Sequence, residues 1–93
     1  MSNVLEGKVA LISGCGAGIG EASARLFARN GAILWLNDLD ADALDRMVAE
    51  LAADGVNVGG LAGDMSDSAF VNAWVQGAID AHGRIDVLYN NVG

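Results

Sequence analysis

Four short apolar runs, each separated from the next by a segment of helical periodicity, leave this chain few ways to fold. Val9-Ala10-Leu11-Ile12 contains no polar residue, as expected of a strand covered on both faces. The runs at 32–36, 56–62 and 85–89 repeat the pattern, the third diluted by Gly59-Gly60 and the fourth carrying Asp86. Residues 19–30 place Ile19, Ala22, Leu26 and Phe27 at helical spacing. Asp40 can cap a second helix with an apolar stripe of Leu44, Met47, Val48, Leu51 and Ala52. Ser66 or Asp67 can cap a third, bearing Phe70, Trp74, Val75, Ala78 and Ile79. Gly31, Gly55 and Gly83 each follow a helical segment, where a left-handed terminus favours glycine. The order is therefore β-α-β-α-β-α-β. Helical crossovers between strands are right-handed and imply an α/β, doubly wound parallel sheet, with strand order 3-2-1-4. The order reverses between the first and fourth strands, and ligands of such sheets bind there, at the carboxyl ends. The fourth strand is then an apolar edge with only Arg84 and Asp86 as charges, so the domain reads as truncated.

Composition narrows the partners. Ninety-three residues make one small domain at most. Hydrophobic residues make up 53% and charged ones 18%, with a mean hydropathy of +0.36. A small domain needs much polar surface, so this balance implies a face covered by something else. Five basic against twelve acidic residues give a net charge of −7, which argues against a nucleic-acid binder. The longest uncharged stretches, 9–20 and 68–79, are twelve residues each and too short to span a bilayer. The opening Met-Ser-Asn-Val-Leu-Glu has no basic region before an apolar stretch, so no secretory signal is read. With one cysteine, Cys15, no internal disulfide forms, and the expected setting is the cytoplasm.

Ser13-Gly14-Cys15-Gly16-Ala17-Gly18-Ile19-Gly20 joins the first strand to the first helix. The spacing Gly14-x-x-x-Gly18-x-Gly20 differs from the strict G-x-G-x-x-G fingerprint, and no Gly-Lys-Ser/Thr makes it a nucleoside-triphosphate loop. Small residues still let the backbone approach a pyrophosphate, and a helix N-terminus offers free N–H groups and a positive dipole end. Asp38 ends the second strand eighteen residues after Gly20, near the offset of a carboxylate that binds an adenosine ribose. Its bland alternative is a capping or solvated aspartate, since Asp40, Asp42 and Asp45 crowd the same stretch. Asp64, just past the third strand, suits either an adenine amino group or a turn before the next helix. Asn90-Asn91 ends the fourth strand on the same rim. His82 suits a helix C-terminus. Trp35 and Trp74 suit core or interface packing. Cys15 is either a small residue fitted to a tight loop or a thiol acidified by the helix N-terminus.

These segments resemble the short-chain dehydrogenase/reductase family. Residues 13–20 look like its Thr-Gly-x-x-x-Gly-Ile-Gly loop with Ser13 for Thr. Residues 83–93 look like its Gly-x-Ile-Asp-x-Leu-x-Asn-Asn-Ala-Gly segment with Val92 for Ala. Gly63-Asp64-Met65 matches its aspartate after the third strand. The resemblance implies a Rossmann-like fold, NAD as cofactor, and hydride transfer between nicotinamide and an alcohol or ketone. It puts Gly14, Cys15, Gly16, Ala17 and Ile19, with Gly18 and Gly20 of the same loop, on the pyrophosphate side. Asp38 and Leu39 would take the adenine ribose, Asp64 and Met65 the adenine, and Asn91 the neighbouring ribose region. The family's Tyr-x-x-x-Lys pair has no counterpart: Tyr89 is the only tyrosine, four residues before Gly93, and Lys8 is the only lysine. Residues 1–93 therefore read as the N-terminal part of one NAD(P)-binding Rossmann domain, inactive by itself. The missing C-terminal half, a second chain or a homo-oligomer would cover the fourth strand. Two other readings use similar features: an adenosylmethionine-dependent methyltransferase-like domain and a non-catalytic nucleotide-binding module. Asp38 would sit against a ribose 2′-phosphate, and no basic residue at 15–17, 37 or 39 offsets it, so NAD is expected over NADP.

Overall fold

Each apolar run becomes a strand of one parallel sheet. The computed structural model describes residues 4–91, so the readings that fall on residues 1–3, Val92 and Gly93 lie outside the described residues. Strand β1, Val9–Ile12, is buried throughout. It pairs in parallel with β2, Ile33–Asp38, in the register Val9 to Ile33. On its other side it pairs with β4, Val87–Tyr89, in the register Ala10 to Val87. Strand β3, Val58–Ala62, lies outside β2, giving the order β3-β2-β1-β4.

Three helices, α1 (Gly18–Arg29), α2 (Ala41–Ala53) and α3 (Ser68–His82), connect the strands. The side-chain alternation of the strands divides the interior into two cores. Ala10, Ile12, Leu34 and Leu36 pack with Ala24 of α1 and with Leu44, Met47 and Leu51 of α2. Val9 and Leu11 face the other way, against Trp74 and Ala78 of α3. Ile33 and Trp35 pack at the margin of this second core. The two tryptophans bridge α3 and β2 reciprocally. Trp35 Nε1 donates to the Trp74 carbonyl at 2.8 Å, and Trp74 Nε1 donates to the Leu36 carbonyl at 2.9 Å.

Several details differ from the sequence reading, among them Ile79 of α3, which is 37% exposed, and β2, which runs on from the apolar run to Asp38. The buried face of α1 is Gly20 and Ala24, with Phe27 and Ala28 packed beside them. Ile19 and Leu26 are 68% and 50% exposed, and Ala22 also faces outward. Small residues let this helix lie close to the sheet. In α2 the stripe ends at Leu51, and Ala52 is exposed. Strand β3 starts at Val58, because the Val56 amide is still tied to the α2 terminus through the Leu51 carbonyl. Its two glycines are packing residues: a Cβ on Gly60 would collide with the Leu36 backbone, and one on Gly59 would press on Trp35. Strand β4 starts at Val87, because Asp86 turns its carboxylate into the ladder and accepts the Val9 N–H at 2.9 Å.

Candidate functional site

The carboxyl ends of β1, β2 and β4 are laced together around the glycine loop. Ser13, fully buried, donates its amide to the Tyr89 carbonyl at 3.1 Å. Its hydroxyl donates to Asn90 Oδ1 at 2.9 Å and accepts the Asn91 amide at 3.0 Å. Asn91 Nδ2 donates in turn to the Gly14 carbonyl at 3.4 Å. On the other flank the Cys15 amide donates to the Asn37 carbonyl at 3.0 Å, and the Gly16 amide to Asp38 Oδ2 at 2.8 Å. The loop is thus fixed between β4 and β2 before any ligand arrives.

Its glycines serve two needs. Gly14 and Gly18 have φ of 65° and 60°, in the left-handed region that a side chain disfavours. Gly16 and Gly20 are points of contact. A Cβ on Gly16 would meet Asp38 Oδ2 at 2.7 Å, and one on Gly20 would run into the Gly14 carbonyl. Beyond the loop, α1 begins at an N-cap, Ala17, that has no side-chain acceptor. The other two helices are capped by aspartates, Asp40 onto the Asp42 and Ala43 amides and Asp67 onto the Ala69 and Phe70 amides. The first-turn amides of α1 are therefore left to an acceptor from outside. Ala17, Gly18 and Ile19 are exposed around that terminus.

Asp38 is half-buried and held at both oxygens, Oδ2 by Gly16 and Oδ1 by the Asp40 amide at 2.9 Å. The capping role considered for it belongs to Asp40. Leu39 beside it is 73% exposed. Asp64 makes the turn weighed from sequence: its Oδ1 accepts both the amide and the hydroxyl of Ser66 at 2.8 Å. Those bonds hold its carboxyl below the usual carboxylate range. The Met65 side chain packs against the α3-side core.

Of the two readings of Cys15, the small residue fitted to a tight loop is the one observed. Its side chain is buried in the core between the sheet and α1–α2, so the thiol does not line the loop surface. Burial, then the nearby Asp38 charge, pushes the thiol up to about 11, opposite to an acidified thiol. Tyr89 sets its ring edge-on to Phe27 at 6.4 Å, beneath α1. His82 packs against Trp35 at 6.2 Å, at the far end of α3 from its Asp67 cap.

Three residues of the rim escape sequence reasoning. Ser13 belongs to the loop motif, but nothing local encodes its clamp on Asn90 and Asn91. Asn37 follows the apolar run 32–36 and carries no local signal beyond its polarity. It is buried, donates Nδ2 to the Leu61 and Gly63 carbonyls, and among the described residues its Oδ1 has no partner. Arg46 of α2 donates to the Gly16 carbonyl at 3.3 Å, a contact across thirty residues that no local pattern encodes. Among the described residues, no three His, Cys, Asp or Glu side chains are grouped to hold a metal ion. No helix among them is long and apolar enough to cross a membrane.

Comparison with known proteins agrees with this geometry. Residues 8–93 match the family model described as short chain dehydrogenase. The chain is 45% identical over 89 residues to the oxidoreductase UcpA of Salmonella typhimurium, covering 96% of this chain and 34% of that protein. A short-chain dehydrogenase/reductase from Burkholderia phymatum, solved in complex with NAD, superposes with a TM-score of 0.88 at 42% identity. That match covers 90% of this chain and 30% of the other. Hydroxysteroid dehydrogenase from Escherichia coli superposes with a TM-score of 0.92 at 36% identity, covering 98% of this chain and 39% of that one. The chain thus spans about a third of the length of the relatives it matches. A glycine loop locked between two strand ends, an uncapped first helix, a braced Asp38 and a match over residues 8–93 lead to one conclusion: the chain belongs to the short-chain dehydrogenase family.

Proposed function

We propose that the chain is the NAD-binding part of an oxidoreductase that moves hydride between nicotinamide and an alcohol or ketone. The observation that carries this reading is the convergence, on one rim, of the uncapped α1 N-terminus and a carboxylate fixed in place by the loop itself. Residues 14–20 suit a pyrophosphate, because the backbone of Gly14, Gly16, Gly18 and Gly20 presents no side chain and the first-turn amides of α1 are available. Asp38 would accept the ribose hydroxyls, with the exposed side chain of Leu39 next in sequence. Asp64 and the Met65 backbone close the adenine side, and Asn91 faces the neighbouring ribose. When bound, the nicotinamide ring supplies the hydride acceptor or donor.

The proton of the alcohol is assigned to residues outside this chain. The ring of Tyr89 packs beneath α1, and Lys8 precedes β1, at the edge opposite the rim. The relatives' greater length supports a role for a longer polypeptide, a second chain or a second copy, each able to cover β4. A cytoplasmic setting fits the single, buried cysteine.

Calorimetric titration with NAD and NADP tests the reading. A like charge about 4 Å away costs on the order of 4 kcal/mol at an effective dielectric near 20, before screening. NAD is expected to bind at least about tenfold more tightly than NADP. Equal affinities would remove Asp38 from the ribose site, and binding of neither would remove the function.

A further inference from the structure

Arg46 lies in the second turn of α2 and is exposed, yet its guanidinium reaches the glycine loop and donates to the Gly16 carbonyl. The amide of the same residue, Gly16, donates to Asp38. A single residue thus separates the cation from the carboxylate. The arrangement has no slack, since a Cβ on Gly16 would meet Asp38 Oδ2 at 2.7 Å and Ala43 Cβ at 2.8 Å. Among the described residues, the ion pairs join Arg25 to Glu21 and Glu50, and Arg84 to Asp86. Arg46 enters none of them. On its own helix Asp42 and Glu50 lie one turn away on either side, and Glu50 is already held by Arg25 at 2.6 Å. A guanidinium carries five donors in a planar fork matched to phosphate, and one long bond to a carbonyl uses little of that capacity.

We propose that Arg46 is a second determinant of cofactor choice, a latent receptor for the 2′-phosphate of an adenosine ribose that Asp38 holds off. The inference rests on Asp38 being the ribose carboxylate, as proposed above. In the protein as it stands, the carboxylate repels the phosphate and the guanidinium attracts it, so the two charges oppose each other at one position. The discrimination set by Asp38 alone would be larger than the one set by Asp38 and Arg46 together. Removing the Asp38 charge while keeping an oxygen for the Gly16 amide leaves the Arg46 guanidinium on the loop, with Asp40, Asp42 and Asp45 as the remaining charges of that stretch.

Titrations of adenosine 5′-monophosphate and adenosine 2′,5′-bisphosphate, followed by ligand-observed NMR, test this without any catalytic readout. The Asp38→Asn variant should bind the bisphosphate at least about tenfold more tightly than the unmodified protein. Adding Arg46→Gln should erase that gain while changing affinity for the monophosphate by less than about threefold, and Arg46→Lys should keep part of it. Arg46→Gln alone should widen the preference for the monophosphate. Circular dichroism melts establish that each variant is folded. Equal bisphosphate affinity with and without Arg46 would overturn the proposal. So would a loss shared equally by both ligands, which would make Arg46 a loop brace alone. If the unmodified protein binds neither nucleotide, the cofactor reading falls and takes this inference with it. Binding of the monophosphate with no dependence of the bisphosphate on Arg46 removes only the inference.

Discussion

Two side chains give this protein opposite responses at the ends of the pH scale. The Cys15 thiol, pushed up to about 11 by burial and by Asp38, stays protonated when the unfolded thiol, at an ordinary 9.0, begins to ionise. Its contribution is complete below pH 9 and is lost as pH rises toward 11. Urea denaturation between those limits should show a steeper loss of stability in the native sequence than in Cys15→Ala. Alkylation of the native thiol should proceed only as fast as the core opens. Asp86 has the reverse sign. The Arg84 guanidinium, and then the Val9 amide, hold its carboxyl below the usual carboxylate range. That contribution is present above the usual range and disappears as pH falls through the lowered value. Asp86→Asn should flatten the acid limb of a stability curve measured by denaturation, and an unchanged acid limb would show that the pair is fully screened.

Helix ends and helix faces set the next level. Asp40→Ala and Asp67→Ala each remove a side-chain acceptor from two amides and should cost about 1 kcal/mol in urea unfolding. Gly20→Ala tests the opposite balance. In an ordinary helix interior it gains roughly 0.5–1 kcal/mol. Here the new Cβ runs into the Gly14 carbonyl, and Asn91 Nδ2 stands at 2.9 Å. The expected result is a net loss of about 1–3 kcal/mol together with loss of nucleotide binding. The same residue explains what the sequence leaves unread. Strands, crossovers and the 3-2-1-4 order are legible because buried parallel strands require unbroken apolar runs, and 9–12 and 32–36 supply them. The buried stripe of α1 is not, because Gly20 and Ala24 carry almost no hydrophobic signal while the exposed Ile19 and Leu26 carry a strong one. Asp38 is legible from its place at the end of an apolar run. Arg46 is not, because its contact depends on how closely α2 lies over a loop thirty residues earlier.

Exposed apolar side chains are spread over the whole molecule, among them Leu39 at the rim, Ile79 of α3, and two groups on α1 and β4. Ile19 and Leu26 mark the outer side of α1. Leu88, 62% exposed, lies on the opposite face of the sheet from Val87 and Tyr89, which pack with the α1–α2 core. With β4 at the edge of the sheet, residues 1–93 alone should self-associate in light scattering despite a net charge of −7. Leu88→Lys should shift that distribution toward monomer, and a monodisperse monomer of the native sequence would contradict it. The same preparation should show no substrate-dependent NADH absorbance change over a panel of alcohols and ketones. The two faces also differ in what light they answer to. Both tryptophans belong to the α3 layer, each with its indole nitrogen bonded to a backbone carbonyl, whereas the α1–α2 layer holds only Phe27 and Tyr89 as aromatics. Indole emission is therefore a private report on α3, and the moment that helix lifts from the sheet is visible apart from anything happening around the glycine loop.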